Sequence, residues 1–120
     1  MADSESARQA ALKLYANTIK NCQKMVPKFA PGTAQATLLT HRIAALRVLI
    51  QVVSGAGYQL PRPDLLAAVA PIKSIIHKTT VARAKYGPEA AMYRRLTPMI
   101  DAMTLGLTAL QEQMEEQDHA

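Results

Sequence analysis

Seven apolar residues, Met92, Leu96, Met99, Met103, Leu107, Leu110 and Met114, recur at intervals of four, three, four, four, three and four. An α-helix, at about 3.6 residues per turn, puts such a series on one face. The same rule repeats upstream. Leu12, Tyr15, Ile19, Cys22, Val26 and Phe29 follow it in a first segment predicted to run from Asp3 or Ser4 to Lys28. Leu39, Ile43, Leu46, Ile50 and Val53 follow it in a second, Ala34–Val53, with Leu38 and Leu49 widening the stripe. Leu65, Val69, Ile72 and Ile76 follow it in a third, from Pro63 and Asp64 towards Tyr86. Helices with one apolar face each bury those faces against one another. The sequence therefore predicts an all-α protein, an antiparallel four-helix bundle in a single domain spanning residues 1–120.

The breaks between segments carry their own chemistry. "APGT" (Ala30–Thr33) ends the first pattern, with Thr33 placed to cap the second helix. "SGAGYQLPRP" (Ser54–Pro63) reads as a loop, since its two glycines and two prolines oppose helix continuation. Gly87 is expected at the C-terminal cap of the third helix, Pro88 at the first position of the fourth, and Glu89 in that helix's first turn. Pro71 and Pro98 fall inside their segments, where a missing N–H and a steric clash predict a kink or short break.

With no Trp and one Phe, the core must be Leu, Ile, Val, Met and Ala. The single cysteine, Cys22, excludes an intramolecular disulfide and reads as a small core hydrophobe. The opening "MADSES" lacks the basic and apolar regions of a signal peptide. The longest charge-free run, Val48–Pro61, is too short to span a bilayer and is broken by Gly55 and Gly57. The expectation is a cytoplasmic protein.

Catalytic patterns are sparse. His41, His77 and His119 form no metal-spaced pair, the cysteine belongs to no cluster, and "GAG" (Gly55–Gly57) follows no strand that would make it a phosphate loop. Asp64 and Glu89 are explained as helix starts rather than as a catalytic pair. The sequence points to no enzyme, no cofactor and no metal.

Charge is more telling than its net of +5. All 14 Lys and Arg lie between Arg8 and Arg95, against two acids, Asp64 and Glu89, so that body carries +12. Five acids and no Lys or Arg follow from Asp101 onward. A basic body with acidic ends predicts an anionic partner, a membrane surface, or neutralisation by its own tail, Glu112–Ala120. Nucleic acid is one such partner, although no reading helix or stacking platform is recognisable. The cations concentrate at "ARAKYGPEAAMYRR" (Ala82–Arg95), where Arg83, Lys85, Arg94 and Arg95 surround Tyr86 and Tyr93, with Lys78 just upstream. Two readings stay open for this cluster. Tyr beside Arg is a common recognition pairing; equally, cations complement the dipole at a helix C-terminus while tyrosines cap the bundle.

The pattern "RAKYGPEAAMY" (Arg83–Tyr93) resembles the Arg-x-x-Tyr-Gly region near the end of enterocin A-type bacteriocin immunity proteins. "LLTHRIAALRVLI" (Leu38–Ile50) resembles the Leu-x-x-Arg-Ile/Leu pattern of their central helix, and "ARQAALKLYANTI" (Ala7–Ile19) is similar to their opening helix. The resemblance covers about three quarters of the chain, and the order of the motifs is its main support. It implies a four-helix bundle and a small, basic, non-catalytic cytoplasmic protein that protects a bacterium from a pore-forming peptide. It also implies docking on a complex of bacteriocin with its sugar-transporter receptor, at the inner membrane face. Specificity would reside in the C-terminal half, hence in Arg83, Lys85, Tyr86, Tyr93, Arg94 and Arg95.

Overall fold

The four apolar stripes close on one another as four helices. The computed structural model describes residues 2–55 and 59–119, with side chains from Glu5 onward. Helix α1 (Ala2–Met25) tightens into a single 3₁₀ turn (Val26–Lys28); α2 (Ala34–Val53), α3 (Arg62–Arg83) and α4 (Ala91–Asp118) follow. Among the described residues there is no strand. The protein is an all-α four-helix bundle.

Chain neighbours pair antiparallel. Arg83, at the end of α3, bonds Thr97 near the start of α4, whereas Arg62, at the start of α3, reaches Met114 near the end of α4. The α1/α2 pair is laid across the α3/α4 pair. Ala7, Ala10, Ala11 and Leu14 of α1 share a cleft with Pro98, Asp101, Ala102 and Leu105 of α4, and Thr18 and Cys22, further along α1, share one with Met99. A long stretch of α1 thus meets a short stretch of α4, and the two helices cross rather than run side by side. The overall extents of 43 × 42 × 20 Å fit two crossed layers, since packed helices sit about 8–10 Å apart.

The core is aliphatic except for one ring. Tyr15, Leu46, Leu49, Leu65, Ile72, Met103 and Leu110 are fully buried. Each such aliphatic side chain stabilises the fold by about 1.5–3 kcal/mol relative to exposure. Tyr15 inserts from α1 into α4, where its hydroxyl donates to the Ala102 carbonyl. That contact requires Gly106. A Cβ there would sit 2.7 Å from the Tyr15 hydroxyl and 2.7 Å from Leu49 Cδ1. Burial pushes the Tyr15 hydroxyl pKa up to about 12, partly offset by a bond from the Gly106 backbone.

Boundary chemistry matches the sequence at some positions and not at others. The Thr33 side chain accepts from the Ala36 N–H, as expected of the α2 cap. Gly55, at φ 77°, takes the left-handed conformation that ends α2. Gly57, the other glycine assigned to that loop, lies outside the described residues. The Arg8 guanidinium donates to Ser54 O at 2.8 Å and Val53 O at 3.4 Å, placing a cation on the negative end of α2. Glu5 holds it from the other side at 2.7 Å. Bonds from Gln9 and then from Arg8 lower the Glu5 pKa.

Several expectations are corrected. Gly87 does not adopt left-handed backbone, and α3 instead unwinds through 3₁₀-type bonds from Lys85 to Ala82 and from Tyr86 to Arg83. Pro88 and Glu89 precede α4 rather than open it. They form the centre of a reverse turn closed by the Ala90 N–H on Gly87 O at 2.9 Å, and the helix starts at Ala91. The short break that Pro71 and Pro98 could have caused does not occur, and α3 and α4 stay helical through both prolines. The carbonyls that lose a partner belong to Ala67 and Arg94, both exposed, so water can satisfy them. Leu38 is exposed rather than part of the α2 stripe. On α3 the buried line is Leu65, Ala68, Ile72 and Ile75, with Val69 and Ile76 half-buried beside it. This helix touches both α2 and α4, which widens its buried face. Finally, α2 and α3 are both long and apolar enough to cross a membrane by length and composition. Counting charge-free runs missed this because Arg42, Arg47 and Lys73 interrupt them.

Candidate docking surface

The cationic cluster forms around the seven-residue connection Ala84–Ala90, which turns the chain from α3 into α4. Arg83 is the organised member. Its Nη1 donates to Thr97 Oγ1 at 3.0 Å, and Thr97 in turn donates to the Tyr93 carbonyl at 2.9 Å. The guanidinium lies over the Tyr93 ring, 4.6 Å from its centroid, a cation–π contact across the connection. Tyr93 is thereby half-buried, while Tyr86 remains exposed on the turn.

Lys85, Arg94 and Arg95 are exposed, and among the described residues no carboxylate pairs with any of them. The lone acid of the connection, Glu89, folds back over the turn, its Oε2 3.2 Å from the position of a Cβ on Gly87. Lys78 stands apart from the rest. It lies further back on α3 and lines a cleft with Thr18, Cys22 and Arg42.

The two readings of the cluster separate on helix geometry. Arg83 sits in the last turn of α3, where a cation is favourable, and helix-end electrostatics accounts for it. Arg94 and Arg95 lie at the start of α4, whose first turn contains no acid. A cation there opposes the macrodipole, at a cost on the order of 0.3–1 kcal/mol for an exposed charge. Helix stability therefore does not explain these two residues.

The acidic tail does not neutralise them. Glu112–Asp118 continues α4 as helix and packs against the connection between α2 and α3. The Leu60 N–H donates to Gln113 Oε1 at 2.9 Å, Gln117 Nε2 donates to Leu60 O at 2.7 Å, and Arg62 pairs with Asp118 at 2.6 Å. From Arg94 to Asp118 the rise of an α-helix amounts to roughly 36 Å. The two ends of α4 therefore carry opposite, well-separated charge.

Elsewhere, groups of three or more His, Cys, Asp or Glu that could hold a metal are absent among the described residues. Cys22 is buried, and burial raises its thiol pKa against the nearby charge of Arg42. Of the methionines of α4, Met103 is fully buried, and Met99 and Met114 pack against the core. Thr97, which fixes Arg83 on Tyr93, was missed from the sequence. Its signal was the four-residue spacing from Tyr93, which allows the hydroxyl to reach that carbonyl. No family model matches the chain, and no curated protein or solved structure matches it either.

Proposed function

We propose that this chain is a non-catalytic docking protein whose basic helix–turn–helix corner, Arg83 to Arg95, seats an acidic surface of a protein partner. The observation that carries the reading is the unpaired, dipole-opposed placement of Arg94 and Arg95 beside an Arg83–Tyr93 stack. Exposed cations next to a half-buried ring and an exposed Tyr86 supply both steering charge and contact area.

The specific form favoured by the motif resemblance is an immunity-type protein. The stacked pair, Arg83 and Tyr93, comprises the first and last residues of the segment that carries that resemblance. In this form the protein acts stoichiometrically in the cytoplasm, its partner is a bacteriocin–receptor complex, and anionic lipid lies close by. Expression in a strain sensitive to class IIa bacteriocins tests it. Survival against at least one peptide of a panel is expected, and Arg94→Glu with Arg95→Glu should abolish it while the far-UV circular dichroism stays helical. Loss of protection across the whole panel refutes the immunity form. Protection that survives the charge reversal refutes this corner as the docking surface. The +12 body also suits nucleic acid; binding to duplex DNA or RNA that falls steeply with salt would assign the corner to that partner instead.

A further inference from the structure

Away from the docking corner, all four helices contribute to one cleft. Thr18 and Cys22 come from α1, Arg42 from α2, Ile75, Lys78 and Thr79 from α3, and Met99 from α4; the volume is about 220 Å³. Three observations single it out. The Arg42 Nε–H is buried with no hydrogen-bond partner, the condition that folded proteins avoid for a charged donor. A second cation, Lys78, lines the same cleft, and no carboxylate does. Both threonine hydroxyls already donate to their own helices, Thr18 to Leu14 O at 2.8 Å and Thr79 to Ile75 O at 2.7 Å. The free donors are thus the two cations. The oxygens of the threonines are left as acceptors, and Ile75 and Met99 supply apolar wall.

We propose that this cleft is a binding site for a small oxyanion-bearing ligand, a carboxylate or phosphate group held by the Arg42 guanidinium and by Lys78, with a short apolar portion resting on Ile75 and Met99. Guanidinium bonds to oxyanions are charge-assisted and among the stronger ones available to a protein. An arginine also suits the role because it cannot shed its proton to escape burial. The site is separate from the docking corner, whose residues other than Lys78 do not line it.

The test follows the Arg42 Nε–Hε resonance by NMR in the intact protein during titration with inorganic phosphate, with butyrate, and with chloride at matched ionic strength. A saturable shift in the millimolar range with phosphate or butyrate, and none with chloride, is expected. Butyrate binding more tightly than phosphate assigns the apolar wall to a carboxylic acid; the reverse assigns the ligand to the phosphate class. Followed instead through the backbone amides of Thr18 and Thr79, which line the same cleft, Arg42→Gln should weaken binding by about tenfold or more, the scale of one charged hydrogen bond. Lys78→Gln, at an exposed position that the fold does not need, should weaken it less while leaving the Arg42 signal visible. Arg95→Gln should leave it unchanged, which separates this site from the docking corner. Absence of a saturable shift with either anion, or an equal shift with chloride, overturns the proposal.

Discussion

Replacing Gly106 by Ala is the sharpest test of how this core is built. By helix propensity alone the change should help, since Ala is favoured over Gly inside a helix by about 1 kcal/mol. The structure predicts the opposite. A Cβ at position 106 would meet Leu49 Cδ1 and the Tyr15 hydroxyl at 2.7 Å each, and Leu49 Cδ2 at 2.9 Å. All three atoms are fully buried, and Tyr15 is tied to Ala102 by its hydroxyl, so none can swing aside freely. Overpacking of this kind costs about 1–3 kcal/mol. Displacing a buried hydroxyl from its acceptor adds about 1–3 kcal/mol. After the propensity gain of about 1 kcal/mol, Gly106→Ala should destabilise the protein by about 3 kcal/mol, lowering Tm by about 12 °C for a chain of this size. Urea unfolding followed by circular dichroism measures this directly. In a cycle with Tyr15→Phe, which removes one of the three obstructing atoms, the combined loss should be smaller than the sum of the single losses. A Gly106→Ala variant more stable than the parent by the propensity value would refute the argument. It would mean that α1 and α2 do not press on α4 at this point.

Tyr15 also sets an alkaline limit on stability. Its folded pKa is raised above the unfolded value of about 10, so its contribution is complete below pH 10 and is lost as pH rises towards about 12. Over that window the parent should lose roughly 2–3 kcal/mol relative to Tyr15→Phe; urea midpoints of the two proteins that fall in parallel would contradict the assignment. Arg94→Glu and Arg95→Glu should each stabilise α4 by about 0.3–1 kcal/mol while removing partner binding, and a thermal melt showing destabilisation would remove the dipole argument. Thr33→Ala should cost about 1 kcal/mol through loss of the α2 cap, read as a lower urea midpoint with an unchanged slope. Arg8→Ala should cost about 1 kcal/mol by uncapping the far end of the same helix, and an additive Thr33/Arg8 double variant would show that the two ends act independently.

The four helices were legible in the chain because each segment carries its own three–four apolar spacing, and burying one face satisfies that pattern whatever the partner. Thr33 was legible for the same local reason, since a cap needs only its own helix. The turn at Gly87 and Pro88 was located correctly and its chemistry misread. Gly-Pro suits either a helix end followed by a helix start or the middle of a reverse turn, and only the course of the chain into α4 decides between them. The cluster Arg83, Lys85, Tyr86, Tyr93, Arg94 and Arg95 could likewise be found but not sorted. Whether a cation assists or opposes a helix dipole depends on which terminus it occupies, and moving the start of α4 to Ala91 placed Arg94 and Arg95 on the unfavourable one.

What no local pattern contained is how the two hairpins cross. That crossing brings Tyr15 onto Ala102, makes Gly106 obligatory and gathers Thr18 of α1, Arg42 of α2 and Lys78 and Thr79 of α3 into one cleft. Periodicity states that a face is buried; it does not state which face of which helix lies opposite. Those pairings are fixed by side-chain volume across the interface, as at Gly106, where a single missing Cβ admits a tyrosine from a helix 87 residues away in sequence from its acceptor. The sequence by itself therefore determined the helices, their order and the separation of charge along the chain. The tertiary structure alone decided which residues from different helices meet, because that depends on distances through space that the spacing along one helix does not encode.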